Sequence, residues 1–380
     1  MTTQDPNLTT LVALTTAYVI IFVVALFGNI LVIYIVISRA HMRTCVNNLL
    51  ANMAAADLLV AIFIIPDSVK LMYMKSRWFG GPAGEFLCKV IPFLYAISIS
   101  ASIFSLIFVT VDQFFAILFP FKRFKLVQNF KAVTIFIWSC SSVLMIPYWV
   151  AYRVRKSPFI SGTFECLYDW SPLTNTSSAG KIHFLLIFLF LYQLPLIFIS
   201  ILYVFIARKL WFRKIPGNTN QANQRKAKIS KQKVVRMLVI VITIFAICWL
   251  PIHVFHIVVF YGKLTPSLIV GLLLAFVSHM NSAINPCLYM VMNTSFRREL
   301  FGIFGSTFCV PHCRIKPRLC ADQAARNNNE NILNRLQVKN RRFSRKQGSH
   351  NMADARQNCK LKVVMTHYKS YDNPVSVTGD

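Results

Sequence analysis

The stretch SLIFVTVDQFFAILFPFKRFK, Ser105 to Lys125, decides what kind of fold this chain adopts. It closes a long apolar run that is free of charge until Asp112, and bases follow soon afterwards. An α-helix rises about 1.5 Å per residue, so about 20 apolar residues cross the roughly 30 Å hydrocarbon core of a bilayer. The run predicts a transmembrane helix, and it raises the question of what a single carboxylate does near its end.

The composition predicts the same environment for most of the chain. Of its 380 residues 56% are hydrophobic and 32 are Phe, and the mean hydropathy is +0.53. Lipid offers backbone N–H and C=O groups no partner, so membrane segments of this length are helical. We predict an all-α membrane protein, a seven-transmembrane helix bundle with spans at Leu11–Ser38, Asn48–Tyr73, Phe86–Phe119, Ala132–Ala151, Ile182–Leu210, Val234–Tyr261 and Leu268–Met292.

Four regions follow from these spans. Residues 1–10 form a short N-terminal segment, and residues 11–292 form the seven-transmembrane domain. The segment NTSFRRELFGIFG predicts a short amphipathic helix over residues 293–305. The remaining residues, 306–380, are polar and basic with few apolar residues near the C-terminus, which predicts a disordered cytoplasmic tail.

The net charge of +28 is distributed unevenly. Most of the lysines and arginines fall in the loop between the third and fourth spans, in Arg208–Arg236, and after Arg297. By the positive-inside rule these regions are cytoplasmic and the N-terminus is extracellular. The bases then contact anionic lipid of the bilayer rather than nucleic acid. Asn7 and Asn175 are glycosylation sites on the outside, and Cys309 and Cys313 are palmitoylation sites on the inside.

Enzymatic chemistry is not expected from this sequence. It contains no zinc spacing, Walker signature or Ser-His-Asp arrangement, and no nucleophile–base pair. A channel or carrier remains an alternative, although it would need polar residues along a continuous path, and the inner half of the bundle has few.

Polar residues inside a membrane are costly and usually have a task. Asp57 has no base nearby in its own helix. A carboxylate among hydroxyls and amides suits a hard cation such as sodium, or equally a water-filled hydrogen-bond network. Its candidate companions are Asn29, Ser102, Asn281, Ser282 and Asn285.

Prolines within the spans predict helix kinks that act as pivots, because proline removes a backbone hydrogen bond. The candidates are Pro147, Pro195, Pro251 and Pro286. A bundle with several pivots and a polar centre has two packings of similar energy, which a ligand can shift.

Seven motifs in order resemble those of rhodopsin-like (class A) G protein-coupled receptors over nearly all of Leu11–Gly305. They are GN with Asn29, LANMAAADLL with Asp57, WFG before Cys88, Trp138, Pro195 with Tyr203, FAICWLP with Phe245, Trp249 and Pro251, and NPCLY with Asn285, Pro286 and Tyr289.

The resemblance implies several roles for these residues. It implies a disulfide between Cys88 and Cys166, and it favours a sodium pocket at Asp57. It also implies a receptor in the plasma membrane that signals to a heterotrimeric G protein and then to arrestin. The implied switch residues are Ile103, Pro195, Tyr203, Phe245, Pro251, Pro286 and Tyr289, and the implied G protein-facing residues are Asp112, Gln113, Pro120 and Phe121.

The position of Asp112 follows from the same resemblance. The family carries Asp-Arg-Tyr at the cytoplasmic end of the third helix, so Asp112 lies at the membrane–water boundary. Gln113 and Phe114 stand where the family has Arg and Tyr. Gln cannot form a bidentate ion pair, so two outcomes are open: higher resting activity, or an atypical receptor with weak or no G protein coupling.

The ligand class follows from comparing single positions with the family. Tyr95 stands where amine receptors carry an Asp, and His279 stands where light-sensing members carry a lysine. The segment SGTFECLYDW resembles the second outer loop of neuropeptide receptors, and FAICWLP resembles the neuropeptide FF, RFamide, neuropeptide Y and tachykinin group. A peptide ligand is therefore favoured, with a lipid ligand left open. Candidate ligand-binding residues are Asp67, Tyr95, Glu165, Asp169, Trp249, His253, His256 and His279.

For Asp67, one of these residues, we predict the effect of a substitution. If it pairs with the basic end of a peptide through a charge-assisted hydrogen bond, Asp67→Ala weakens that peptide at least about tenfold.

Overall fold

A computed structural model describes residues 7–119, 129–158, 160–171, 173–212, 221–262 and 268–308. The chain divides into two compact units, Met1–Gly305 and Ser306–Asp380, and of the second only the last residues of one helix are described. The seven-span prediction is confirmed. We name the spans 1 to 7 in chain order: Leu8–Ser38, Cys45–Met74, Gly81–Leu118, Phe130–Ala151, Ser178–Leu210, Lys231–Gly262 and Leu268–Met292.

Several helices run beyond the apolar stretches that predicted them. The helix that contains span 6 is Gln221–Gly262, and the helices of span 5 end at Phe212. The described parts of Arg208–Arg236, the basic connection between spans 5 and 6, are therefore helical. Lys, Gln and Ala are good helix formers, and backbone hydrogen bonding continues where the apolar pattern stops.

Wider, π-helical turns interrupt spans 2 and 5. One covers Val60–Ile64 and the other covers Phe188–Gln193. Pro66 and Pro195 follow these turns closely. Proline lacks an N–H and its ring crowds the preceding turn, so an extra residue in that turn accommodates it. The irregularity predicted at Pro195 is confirmed, and the one before Pro66 was not predicted.

Span 4 is broken near its end. It consists of the helices Phe130–Leu144 and Ile146–Ala151, and Pro147 lies in the first turn of the second helix. A proline fits there because the first turn has no intrahelical N–H partner to lose. Pro251 and Pro286 lie inside helices that continue on both sides of them.

Side-chain caps start several of the described helices. Asn7, Thr44 and Asn129 each accept a hydrogen bond from the backbone N–H three residues further on, at 2.8, 3.2 and 3.3 Å. Asn293 accepts one from the second residue after it and precedes the helix Thr294–Phe308. Such caps satisfy N–H groups that a helix leaves unpaired at its start.

A three-stranded antiparallel sheet connects the ends of spans 2, 3, 4 and 5. Its strands are β1, Arg77–Trp78, β2, Tyr152–Lys156, and β3, Phe164–Tyr168, in the order β1-β3-β2. A disulfide joins Cys166 of β3 to Cys88 of span 3. The disulfide that the resemblance implied is confirmed.

The helix Thr294–Phe308 follows span 7 at the opposite end of the bundle from the sheet. Phe296 anchors it with a fully buried ring. Glu299 binds Arg39 and His41, which lie just after span 1, at 3.1 Å each. The apolar and ionic contacts together fix its start against span 1.

Candidate functional site

A small cavity lies between spans 3, 4, 5 and 6, and we call it the central cavity. Its volume is about 50 Å³. Four of the predicted ligand-binding residues line it, namely Tyr95, Trp249, His253 and His256. Tyr148 and Phe184 line it as well. The structure therefore brings together residues from distant parts of the sequence that were predicted separately.

Aromatic contacts between spans 5 and 6 close the central cavity towards the end of span 6 at Gly262. The ring of Phe184 stacks on His256 at 4.4 Å and on Phe260 at 4.7 Å between centroids. Gly180 allows this closeness, since a Cβ there would lie 2.7 Å from the Phe260 ring. Spans 5 and 6 are thus joined by a stack of aromatic rings next to the central cavity.

His279 lies beside the central cavity but is not among its lining residues. It is 3% exposed. Its ring contacts Tyr95 edge-on at 5.5 Å, and its Nδ1 lies 3.4 Å from the hydroxyl of Tyr18. His279 therefore packs between Tyr95, which lines the cavity, and Tyr18 of span 1.

The three predicted acidic contacts already have partners within the chain. Asp67 pairs with Lys70 at 3.1 Å. Glu165 accepts a hydrogen bond from Ser157 at 2.7 Å, and Asp169 forms an ion pair with Arg155. The central cavity is lined by none of these acids. Pairing of Asp67 with a ligand would therefore compete with the Lys70 ion pair.

A histidine that the sequence analysis missed holds the loop sheet against span 5. His183 is buried, and its Nδ1 lies 2.8 Å from the hydroxyl of Tyr168 in β3. Burial raises the pKa of Tyr168 to about 12, so this phenol keeps its proton. The signal available in the sequence was the pair His183-Phe184 at the start of an apolar run.

The polar centre of the bundle surrounds Asp57, which is 3% exposed. Asn285 Nδ2 donates to its carboxylate at 2.9 Å, and the side chain of Ser282 also bonds to it. The side-chain oxygens of Asn281 and Asn285 are buried, and neither has a hydrogen-bond partner among the residues that the structure describes. Carboxylate and amide oxygens that lack donors are what a sodium ion requires, so the residues fit the predicted ion.

Two other predicted members of this polar set are buried in the bundle. Asn29 donates to the backbone carbonyl of Ser282 at 3.0 Å and so links span 1 to span 7. Ser102 in span 3 is 6% exposed.

A second polar chain links spans 2, 3 and 4. Asn52 donates to the hydroxyl of Ser105 at 2.8 Å and accepts from the indole N–H of Trp138 at 2.8 Å. The sequence analysis named Trp138 as a family mark but missed Asn52, since a polar residue in an apolar run does not reveal its partner.

Most of the residues predicted as switches lie buried in the core of the bundle. The ring of Phe245 lies 6.1 Å from that of Trp249 and 6.3 Å from that of Tyr192. Tyr192 donates to the carbonyl of Ala246 at 2.8 Å, which ties span 5 to span 6. The other buried members are Ile103, Pro195, Tyr203, Pro286 and Tyr289.

Asp112 lies near the end of span 3, where the chain's own polar groups hold its carboxylate. Gln113 Nε2 donates to it at 3.3 Å, and the thiol of Cys45 in span 2 bonds to it as well. Lys231 at the start of span 6 reaches the backbone carbonyl of Ala116 at 3.5 Å. Pro120, Phe121, Cys309 and Cys313 lie outside the described residues.

This combination of seven spans, a disulfide-linked loop sheet, an aromatic cavity and a buried polar centre defines a multi-pass membrane receptor. The family comparison agrees. Residues 28–289 match the "7 transmembrane receptor (rhodopsin family)" model, and the chain belongs to this family. It is a receptor rather than an enzyme.

Its relatives include three receptors named for peptides. It is 31% identical over 289 residues to the tachykinin-like peptides receptor 99D of Drosophila melanogaster, covering 74% of this chain and 55% of that one. It is 30% identical to the pyroglutamylated RF-amide peptide receptor of Rattus norvegicus, covering 80% and 71%. It is also 30% identical to the substance-P receptor of Aquarana catesbeiana, covering 76% and 69%. The match thus spans little more than half of the Drosophila receptor.

Proposed function

We propose that the chain is a receptor for an extracellular peptide, most similar in ligand class to the tachykinin and RF-amide peptide receptors. The observation that carries this proposal is the central cavity, where aromatic and imidazole side chains of spans 3, 5 and 6 converge beneath the loop sheet. Aromatic rings supply apolar contact area, and His253 and His256 supply polar groups for peptide carbonyls. The relatives' names support a peptide ligand.

The proposed orientation places the N-terminus and the loop sheet outside the cell. The basic residues at the start of span 6 then face the cytosol, in line with the positive-inside rule. They are Lys231, Lys233 and Arg236. The Cys88–Cys166 disulfide supports this orientation, because disulfides persist in oxidising compartments. Asn7 and Asn175 then face outwards as glycosylation sites, and palmitoylation of Cys309 and Cys313 remains part of the proposal.

Signalling in this proposal passes from the cavity through Trp249 and Phe245 to the inner ends of spans 3 and 6. Peptide entry separates the Phe184 stack, and the proline-linked irregularities of span 5 allow that span to shift. The exposed inner surface then engages a heterotrimeric G protein and, later, arrestin. Sodium at Asp57 acts as an allosteric ligand that stabilises the resting arrangement.

A panel of amidated peptides tests the proposal on cells that express the full chain, with calcium and cyclic AMP as readouts. An active peptide should lose potency at least about tenfold in His253→Ala. The same peptide should keep its potency in Val254→Ala, because Val254 is 47% exposed on the same helix and outside the cavity. Equal potency in both variants would exclude the central cavity as the binding site.

A further inference from the structure

A second cavity lies on the flank of spans 2 and 3, and we call it the lateral cleft. Its volume is about 600 Å³. Its apolar wall consists of Ile62 and Phe63 from the π-helical turn of span 2 and of Leu87 and Ile91 from span 3. It shares no lining residue with the central cavity.

The mouth of the lateral cleft faces the surface that a bilayer covers. Ile62 is 48% exposed and Phe63 is 36% exposed, although both lie in the middle of a transmembrane span. Phe79, which follows β1, is 48% exposed at the other edge. Large apolar side chains exposed at this depth contact acyl chains, so a molecule enters this cleft from the lipid side.

Charged groups stand at the end of the cleft next to the loop sheet. Lys70 pairs with Asp67 at 3.1 Å, and its ammonium also lies 4.1 Å above the ring of Trp78. Arg77 of β1 lines the same end and is exposed. Within the lining, two cations therefore stand against one carboxylate.

The neighbouring strand does not reverse this balance. Glu165 of β3 is paired in register with Arg77 on one side and with Arg155 of β2 on the other. Glu165 also accepts a hydrogen bond from Ser157. Arg155 is itself paired with Asp169, so the surplus of positive charge is confined to the lining of the cleft, where Lys70 and Arg77 stand against Asp67 alone. This lining suits an anionic group carried on an apolar chain.

We propose that the lateral cleft binds a membrane glycerophospholipid. Its phosphate lies between Lys70 and Arg77, where charge-assisted hydrogen bonds hold it. One acyl chain lies along Ile62, Phe63 and Ile91.

Photolabelling tests this proposal on the full chain in phosphatidylcholine nanodiscs. The probe is a phosphatidylcholine with a diazirine on one acyl chain, and the labelled residues are mapped by mass spectrometry. Labelling of Ile62, Phe63 and Ile91 should exceed that of the lipid-facing Ile20 and Ile135 in the wild type, and Arg77→Gln should reduce it at least about threefold. Lys156→Gln, which removes an exposed cation outside the cleft, is the matched control.

A second variant fills the cleft directly. Ile91→Trp should abolish the excess labelling at Phe63 while the thermal melting temperature stays within a few degrees. Labelling that is equal at cleft and control residues, or unchanged in Arg77→Gln and Ile91→Trp, would show ordinary annular lipid and overturn the proposal. A loss of cleft labelling when soluble glycerophosphocholine is added before illumination would overturn the assignment to a membrane lipid. These readouts require neither peptide nor G protein, so they are independent of the proposed signalling function.

Discussion

Phe184 in span 5 stacks on His256 in span 6 with 4.4 Å between ring centroids, and the two rings are tilted by only 25°. Phe260 adds a second stacked ring at 4.7 Å. These rings leave a central cavity of about 50 Å³, which is far below the roughly 300–1,000 Å³ typical of ligand pockets. The structure is therefore a closed arrangement, which the proposed peptide would have to open.

Removing the stack should speed peptide binding. Stacked aromatic pairs contribute about 0.5–1.5 kcal/mol each, and lowering the cost of opening by about 1 kcal/mol raises the open fraction about fivefold. We expect Phe184→Ala to raise the association rate of an active peptide about fivefold, measured by fluorescence stopped flow on the purified receptor. Phe190→Ala is the matched control, because Phe190 is 58% exposed on the same span. An association rate that is unchanged in Phe184→Ala would refute a gating role for the stack.

Gly28 should be essential for the close approach of spans 1 and 7. A Cβ at this position would lie 2.8 Å from the ring of Pro286. We expect Gly28→Ala to destabilise the receptor by about 1–3 kcal/mol, the usual cost of overpacking. Thermal melting of the full chain in detergent measures this change.

Gly271 provides the control for that substitution. A Cβ there would lie 3.6 Å from Phe255, an ordinary contact distance. Replacing a helical glycine with alanine at such a site stabilises by about 0.5–1 kcal/mol. A Gly28→Ala receptor that melts as high as Gly271→Ala would contradict the proposed close approach.

The apolar pattern of the sequence was enough to predict seven spans, because a segment in lipid has to pair its backbone N–H and C=O groups internally and therefore forms a helix. The positions of Asp57, Tyr95 and Trp249 could be predicted from motifs whose spacing is fixed along a helix. The sequence could not show whether Asp67 pairs with Lys70 or with a ligand. Lys70 lies one helical turn from Asp67, so a charged residue at position 67 is consistent with both roles. The Phe184 stack and the lateral cleft depend on how helices rotate against each other, which no local pattern specifies.

Sodium should stabilise the receptor through Asp57. An ion that binds only the folded state at ten times its dissociation constant stabilises by about 1.4 kcal/mol. The melting temperature of the wild type should therefore rise when sodium chloride replaces potassium chloride at equal ionic strength. Asp57→Asn keeps the shape but removes the charge, and it should abolish this difference. A sodium-dependent shift that survives in Asp57→Asn would place the ion elsewhere or exclude it.

The resting activity should depend on the residue beside Asp112. Gln113 donates a single hydrogen bond to the Asp112 carboxylate at 3.3 Å, whereas Arg at this position would add an ion pair and hold span 3 more firmly in its resting arrangement. If that contact contributes about 1.4 kcal/mol, Gln113→Arg lowers resting G protein activation about tenfold. Nucleotide exchange on purified G protein, with and without an active peptide, measures it.

Gln113→Met is the matched control, because it removes the amide donor without adding charge. Its resting activity should not fall below that of the wild type, since the thiol of Cys45 still bonds to Asp112. Equal loss of activity in Gln113→Arg and Gln113→Met would show that the amide itself serves coupling and that an ion pair is irrelevant. If neither the wild type nor Gln113→Arg activates any G protein while the peptide still recruits arrestin, the proposed coupling to G proteins is wrong.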